Sequence, residues 1–157
     1  IDEERYISGR PIDKGWLSSP YGLRNDPFNG RRTMHKGIDF TAPKGTKIYA
    51  TGDGVIKKVE YARWGYGTHV IINHGYGYTT LYGHMSRINV RPGQKVTRGQ
   101  LIGLVGSTGK STGAHLHYEV AKNGVEVNPV GYFYNDISSA QYEEILKLSS
   151  NPNQSFD

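Results

Sequence analysis

His115 and His117 stand two residues apart in the stretch AHLHYEV. On a β-strand, side chains repeat every second residue, so both imidazoles project from one face while Leu116 turns to the other, toward a core. Two imidazoles on one face invite a metal, although such a pair by itself is also what an ordinary exposed strand would carry. The pair is not alone. MHKGIDF supplies His35 and Asp39 four residues apart, and LYGHM supplies His84 from a third segment. The chain contains no cysteine, so any metal must take nitrogen and oxygen donors. Hydrolytic zinc commonly uses three protein ligands and leaves one position for water. It also needs proton-transferring groups that titrate near neutrality. His35, Asp39, His84, His115 and His117 are enough for three ligands and two acid–base groups, and spacing leaves open which residues are which.

The same region contains a competing motif. GSTGKSTG, residues 106–113, looks like a glycine-rich phosphate loop, but the Walker pattern G-x-x-x-x-G-K-[ST] would place its first glycine where Leu104 stands. Such a loop must also open a helix whose N-terminal amides face the anion. AHLHYEV continues instead with strand alternation. The glycines are better read as a loop leading into a strand.

The segments around these residues are short and alternate in the strand manner. With 21 glycines and 12 tyrosines, they predict a mainly β fold. TKIYATGDGVIKKVEYA reads as two strands joined at Gly52-Asp53-Gly54. THVIINHGYGYTTLYGHM reads as two more, turning at Gly75-Tyr76-Gly77. In HLHYEVAKNGVEVNP, Asn123-Gly124 tolerates the positive φ angles of a tight two-residue hairpin. Beyond Val127 the pattern changes. Ser138 followed by Gln141 is a capping box, and Tyr142, Ile145 and Leu146 mark one face of a terminal helix. The tail SSNPNQSFD has the composition of a frayed end.

The net charge of +5 favours an anionic surface such as nucleic acid, acidic lipid or cell-wall polymer without choosing among them. No apolar run is long enough to span a bilayer. The opening IDEERYISGR lacks the basic start and apolar stretch of an export signal, so the expected chain is either cytoplasmic or a processed or trimmed form.

Taken in order, HKGIDF, LYGHM and HLHYEV resemble the signatures of the LytM-type, M23 family of zinc peptidoglycan endopeptidases, the group that includes lysostaphin. SSPYGLRNDP, GTKIYATGDGVI, HVIINHGYGYTTLYGHMS and VRPGQKVTRGQLIGLVGSTGKSTGAHLHYEV extend the likeness from about Gly15 to Pro129. The resemblance implies one zinc per chain, held by His35, Asp39 and His117, with His84 and His115 as the catalytic histidines. It implies an antiparallel sheet core of the LytM type, a duplicated hybrid motif. It divides the chain into an N-terminal extension (1–14), a catalytic domain (15–132) and a C-terminal helix with a flexible tail (133–157).

A peptidoglycan peptide is then the expected substrate, with no nucleic acid partner and a monomeric chain. Because that substrate lies outside the cytoplasmic membrane, the resemblance implies a periplasmic or cell-envelope location and an Ile1 that begins a mature or truncated piece. Glycyl-bridge enzymes of the family usually carry a wall-targeting domain, for which a short helix and polar tail leave no room. The expected cut is therefore at D-Ala to diaminopimelate. The alternative is a non-catalytic LytM-like module that activates a separate wall amidase. Such modules typically lack the ligand set.

Other residues have simpler readings. His69 and His74 are expected in ordinary strand or turn roles, since three ligands are already supplied. Arg24, Asn25 and Asp26 could line a groove or cap a turn. Trp64 and Tyr66, in a Gly-rich turn, could touch substrate. Where some family members carry a tyrosine shortly before the first ligand, this chain offers Phe28, so no phenolic role is implied there. NVRPGQKVTRGQLIGLVG is similar to the half-barrel hairpin of biotinyl and lipoyl carrier domains, which we read as shared β topology alone.

Overall fold

The computed structural model describes residues 7–25, 32–109 and 113–132. The predicted helix from Ser138, the tail, Asp26 and Phe28 lie outside these residues. The described chain forms β1 (Trp16–Ser19), β2 (Gly22–Asn25), β3 (Arg32–His35), β4 (Ile38–Thr41), β5 (Lys47–Tyr49), β6 (Gly54–Glu60), β7 (His69–Gly75), β8 (Tyr78–Gly83), β9 (Met85–Ile88), β10 (Lys95–Val96), β11 (Leu101–Val105), β12 (His115–Lys122) and β13 (Val125–Val127). A 3-10 turn follows at Pro129–Tyr132. No helix among the described residues is long and apolar enough to cross a membrane.

The main sheet runs β1-β4-β12-β8-β7-β6-β10, with β13 also paired to β12. A three-stranded sheet, β5-β11-β9, and the β2-β3 pair complete the structure, and the pairings are antiparallel. Two hairpins match their sequence signals. β7 turns into β8 through Tyr76 (φ 52°) and Gly77 (φ 84°), and β12 turns into β13 through Asn123 (φ 53°) and Gly124 (φ 81°). The strands joined at Gly52-Asp53-Gly54 do not pair with each other. β5 goes to β11 and β6 goes to β7 and β10.

β12 lies between β4 and β8, which explains why its first six residues are all buried. Leu116, Tyr118 and Val120 enter a core shared with Ile38, Phe40, Ile56, Val70, Ile72 and Tyr82. Burying such side chains is the dominant favourable term in folding. The segment preceding β1 joins this core through Ile7 and Ile12. It is tied down by backbone hydrogen bonds from Ser8 to Thr51 and from Tyr49 to Pro11.

β4 can approach β12 closely because residue 37 is glycine. A Cβ there would stand 2.3 Å from the Tyr118 carbonyl oxygen and 2.7 Å from Glu119 Cγ. Gly37 thus lets the chain carrying His35 and Asp39 lie against the strand carrying His115 and His117.

Candidate metal and catalytic site

The register of the main sheet assembles the site. His117 is directly opposite Asp39 across β12 and β4, and opposite Gly83 across β12 and β8. Facing residues of an antiparallel pair have Cβ atoms about 4.5–5.5 Å apart, so their side chains meet without further adjustment. His35 ends β3, and His84 directly follows β8. His35, Asp39, His84, His115 and His117 are all buried, with Asp39 at 0% exposure.

Each ring is oriented by a bond to the backbone or a carboxylate. His35 Nδ1–H donates to the Pro20 carbonyl at 2.7 Å, which leaves Nε2 as its lone-pair nitrogen. That Nε2 lies 3.4 Å from Asp39 Oδ2 and 3.4 Å from His117 Nδ1. His117 Nδ1 in turn lies 2.9 Å from Asp39 Oδ1. His35, Asp39 and His117 can each offer one donor atom to a common point, all within 4.8 Å of one another.

The chemistry of this set suits a cation. Asp39 Oδ2 is buried and makes no hydrogen bond, a costly arrangement for a carboxylate oxygen unless a charge satisfies it. Tetrahedral zinc ligands at about 2.0–2.2 Å from the ion stand roughly 3.3 Å from one another, close to the observed spacings from His35. Two imidazoles and a carboxylate, with no sulfur, are donors that zinc accepts.

His84 and His115 flank this set. Their ring centroids are 4.6 Å apart, and His84 is 6.0 Å from His117. His115 Nδ1–H donates to the Gly113 carbonyl at 2.8 Å, and its Nε2 comes within 3.8 Å of Asp39 Oδ1. His84 Nδ1–H donates to the Thr108 carbonyl at 2.6 Å. Both neutral rings therefore carry their lone pair on Nε2.

His84 is also held in a left-handed backbone conformation, φ 58°, which is uncommon outside glycine. Its amide donates to the Tyr66 carbonyl at 2.7 Å, and its own carbonyl accepts from Gly106 N at 2.9 Å. Such strain persists where the surroundings over-determine it, as at functional sites.

The glycine-rich stretch leads into a strand, as expected, and its described part holds His84. Gly67 and Gly109 pack back to back. A Cβ on Gly67 would meet the Thr108 carbonyl carbon at 2.4 Å, and one on Gly109 would meet Gly67 N at 2.4 Å.

His69 and His74 serve elsewhere. His69 donates to the Gly67 carbonyl and faces Glu60 Oε2 at 3.3 Å. His74 bridges the Asp53 carbonyl and the Thr80 hydroxyl. Trp64 is 75% exposed. Tyr66 instead stacks on His117, with centroids 5.3 Å apart and planes at 27°.

Reading the sequence by residue type passed over Glu119. It is buried, and its Oε2 lies 2.9 Å from His117 Nε2 while accepting from Tyr66 OH at 2.5 Å. Burial works to raise the Glu119 pKa, but hydrogen bonding and charge from His117, with help from Tyr66, leave it below the usual glutamate value. The signal was present in H-x-H-x-E, whose period of two continues the histidine face by one more residue.

His35, Asp39 and His117 thus form a candidate metal site on a mainly antiparallel β fold. The family model of peptidase family M23 matches residues 33–129, and the chain belongs to that family. It is 48% identical over 130 residues to DD-carboxypeptidase/endopeptidase Mpg of Neisseria meningitidis serogroup B, covering 83% of this chain and 30% of that protein. It is 44% identical over 127 residues to the peptidoglycan DD-endopeptidase ShyA of Vibrio cholerae, covering 80% of this chain and 29% of that protein. The chain thus spans about a third of these curated relatives' length. Among solved structures it is similar to a zinc-containing peptidase from Vibrio cholerae, with a TM-score of 0.74 and 39% identity over 80% of this chain and 39% of that one.

Proposed function

We propose that this domain is a zinc metalloendopeptidase that hydrolyses peptide cross-links of bacterial peptidoglycan, at the D-Ala to diaminopimelate bond. The observation that carries the reading is the meeting of His35, Asp39 and His117 around one point, with His84 and His115 beside it. The names of the Vibrio and Neisseria relatives support the DD-endopeptidase assignment.

His35 through Nε2, Asp39 through its carboxylate and His117 through Nδ1 would hold one zinc ion. When bound, zinc supplies Lewis-acid polarisation of the scissile carbonyl and acidifies water at its open position. His84 and His115 carry the proton work. With Nδ1–H of each fixed on a backbone carbonyl, one Nε2 removes a proton from the attacking water. The other, once protonated, supports the oxyanion and delivers a proton to the leaving amine.

All five residues come from one chain, so a monomer carries the whole set. The substrate lies outside the cytoplasmic membrane, which assigns the domain to the periplasm or cell envelope. The chain's net charge of +5 suits a wall that bears carboxylates.

Metal analysis after dialysis tests the reading. Near-stoichiometric zinc is expected in the wild-type protein and loss of zinc in Asp39→Ala. Metal-free protein that still cleaves cross-links would sink it.

A further inference from the structure

Glu119 takes no part in the donor set or the proton transfers above, yet it is built into the same buried face. It lies two residues beyond His117 on β12 and is 6% exposed. Its Oε2 meets His117 Nε2 at 2.9 Å and Tyr66 OH at 2.5 Å. The Tyr66 ring closes the arrangement by stacking on the His117 imidazole. On the opposite edge of that imidazole, Nδ1 faces Asp39 and His35.

A neutral imidazole carries one proton on two nitrogens, and an ionised carboxylate can only accept. Carboxylates stand 2.9 Å from both ring nitrogens, Asp39 at Nδ1 and Glu119 at Nε2. A cation shared by Nδ1 and Asp39 needs the lone pair at Nδ1, and Glu119 then accepts the ring proton at Nε2. Charge points the same way. Asp39 and Glu119 bring two negative charges into one buried cluster, which a divalent cation balances and which would otherwise be expensive to bury.

We infer that Glu119, anchored by Tyr66, is a positioning residue for the metal. It holds His117 in the Nε2–H tautomer, fixes the ring plane and strengthens Nδ1 as a donor. This inference rests on the metal site proposed above. Outer carboxylates of this kind typically govern metal affinity by about 10- to 100-fold.

The test is zinc affinity, measured by competition with a chromophoric chelator for the wild-type chain, Glu119→Gln, Glu119→Ala and Tyr66→Phe, with melting of each zinc-free protein alongside. Glu119→Gln keeps the size of the side chain and removes its charge. It is expected to bind zinc about tenfold more weakly, and Glu119→Ala about 10- to 100-fold more weakly. Tyr66→Phe keeps the carboxylate and loses only its anchor, so a smaller loss is expected.

A wild-type protein that binds zinc while Glu119→Gln and Glu119→Ala bind it equally well would overturn this inference alone. A wild-type protein that takes up no zinc would overturn both it and the site it rests on. Lower melting of the zinc-free variants with unchanged zinc affinity would mark Glu119 as a packing residue and also overturn it.

Discussion

His84 and His115 each tie Nδ1–H to a backbone carbonyl, at Thr108 and Gly113. Neither belongs to the trio that can share a metal. Substituting either by alanine should leave zinc bound while activity falls about 10²- to 10⁴-fold, the usual cost of losing a proton-transfer group. Zinc content and turnover measured on the same preparation check this, and a variant that arrives without zinc would move that residue into the ligand set. At this scale the sequence pointed to these residues because the chain has only six histidines and the strand period is strict. Glu119 escaped because a glutamate is normally read as a solvated charge. Its burial and its contacts with His117 Nε2 and Tyr66 OH set it apart from the exposed carboxylates.

The elements around the site are held by turns that other residues cannot make. Gly109 sits at φ 78° with its missing Cβ directed at the backbone of Gly65 and Gly67. Gly109→Ala should push the two loops apart, moving both the Thr108 carbonyl on His84 Nδ1 and the Tyr66 carbonyl on the His84 amide. Expected outcomes are a lower melting temperature and a turnover that falls more than zinc affinity. Equal turnover in the two proteins would show that the clamp does not position His84.

The β7–β8 and β12–β13 hairpins were legible because Gly75-Tyr76-Gly77 and Asn123-Gly124 write their turns into the local sequence. The order β1-β4-β12-β8 was not. Pairing β12 with β4 joins residues such as His117 and Asp39 that are far apart in the chain, and strand periodicity shows which face a residue takes but not which strand lies beside it. The separation of β5 from β6 was hidden for the same reason.

Across the whole molecule, a buried polar chain links the sheet to its core. His74 Nε2 and Thr80 Oγ1 are 2.7 Å apart, and Thr80 Oγ1 lies 2.9 Å from Tyr82 OH. Thr51 Oγ1 then contacts Tyr82 OH at 3.0 Å and Tyr118 OH at 2.7 Å. Burial holds the His74 pKa below its ordinary value, against the opposing pull of the Asp53 carbonyl and the Asp53 charge. The unfolded chain takes up this proton near the usual histidine pKa of about 6.5, whereas the folded protein resists it. Stability from neutral His74 is thus complete above that pH and is lost as pH falls toward the depressed folded value. Melting temperature should drop between pH 7.5 and 5.5 more steeply in the wild-type protein than in His74→Gln. Parallel curves would remove His74 from the acid sensitivity.

Hydrolysis itself gives the most direct test. Purified muropeptide dimers, one cross-linked through D-Ala to diaminopimelate and one through a pentaglycine bridge, are incubated with the zinc-loaded domain, and the products are resolved by mass. The expected result is conversion of the diaminopimelate dimer to monomers, abolished in Asp39→Ala, with the glycine bridge cut more slowly or left intact. An intact diaminopimelate dimer beside released glycines would contradict the substrate assignment. No cut in either dimer by zinc-loaded protein would contradict the central claim that this site is a peptidase.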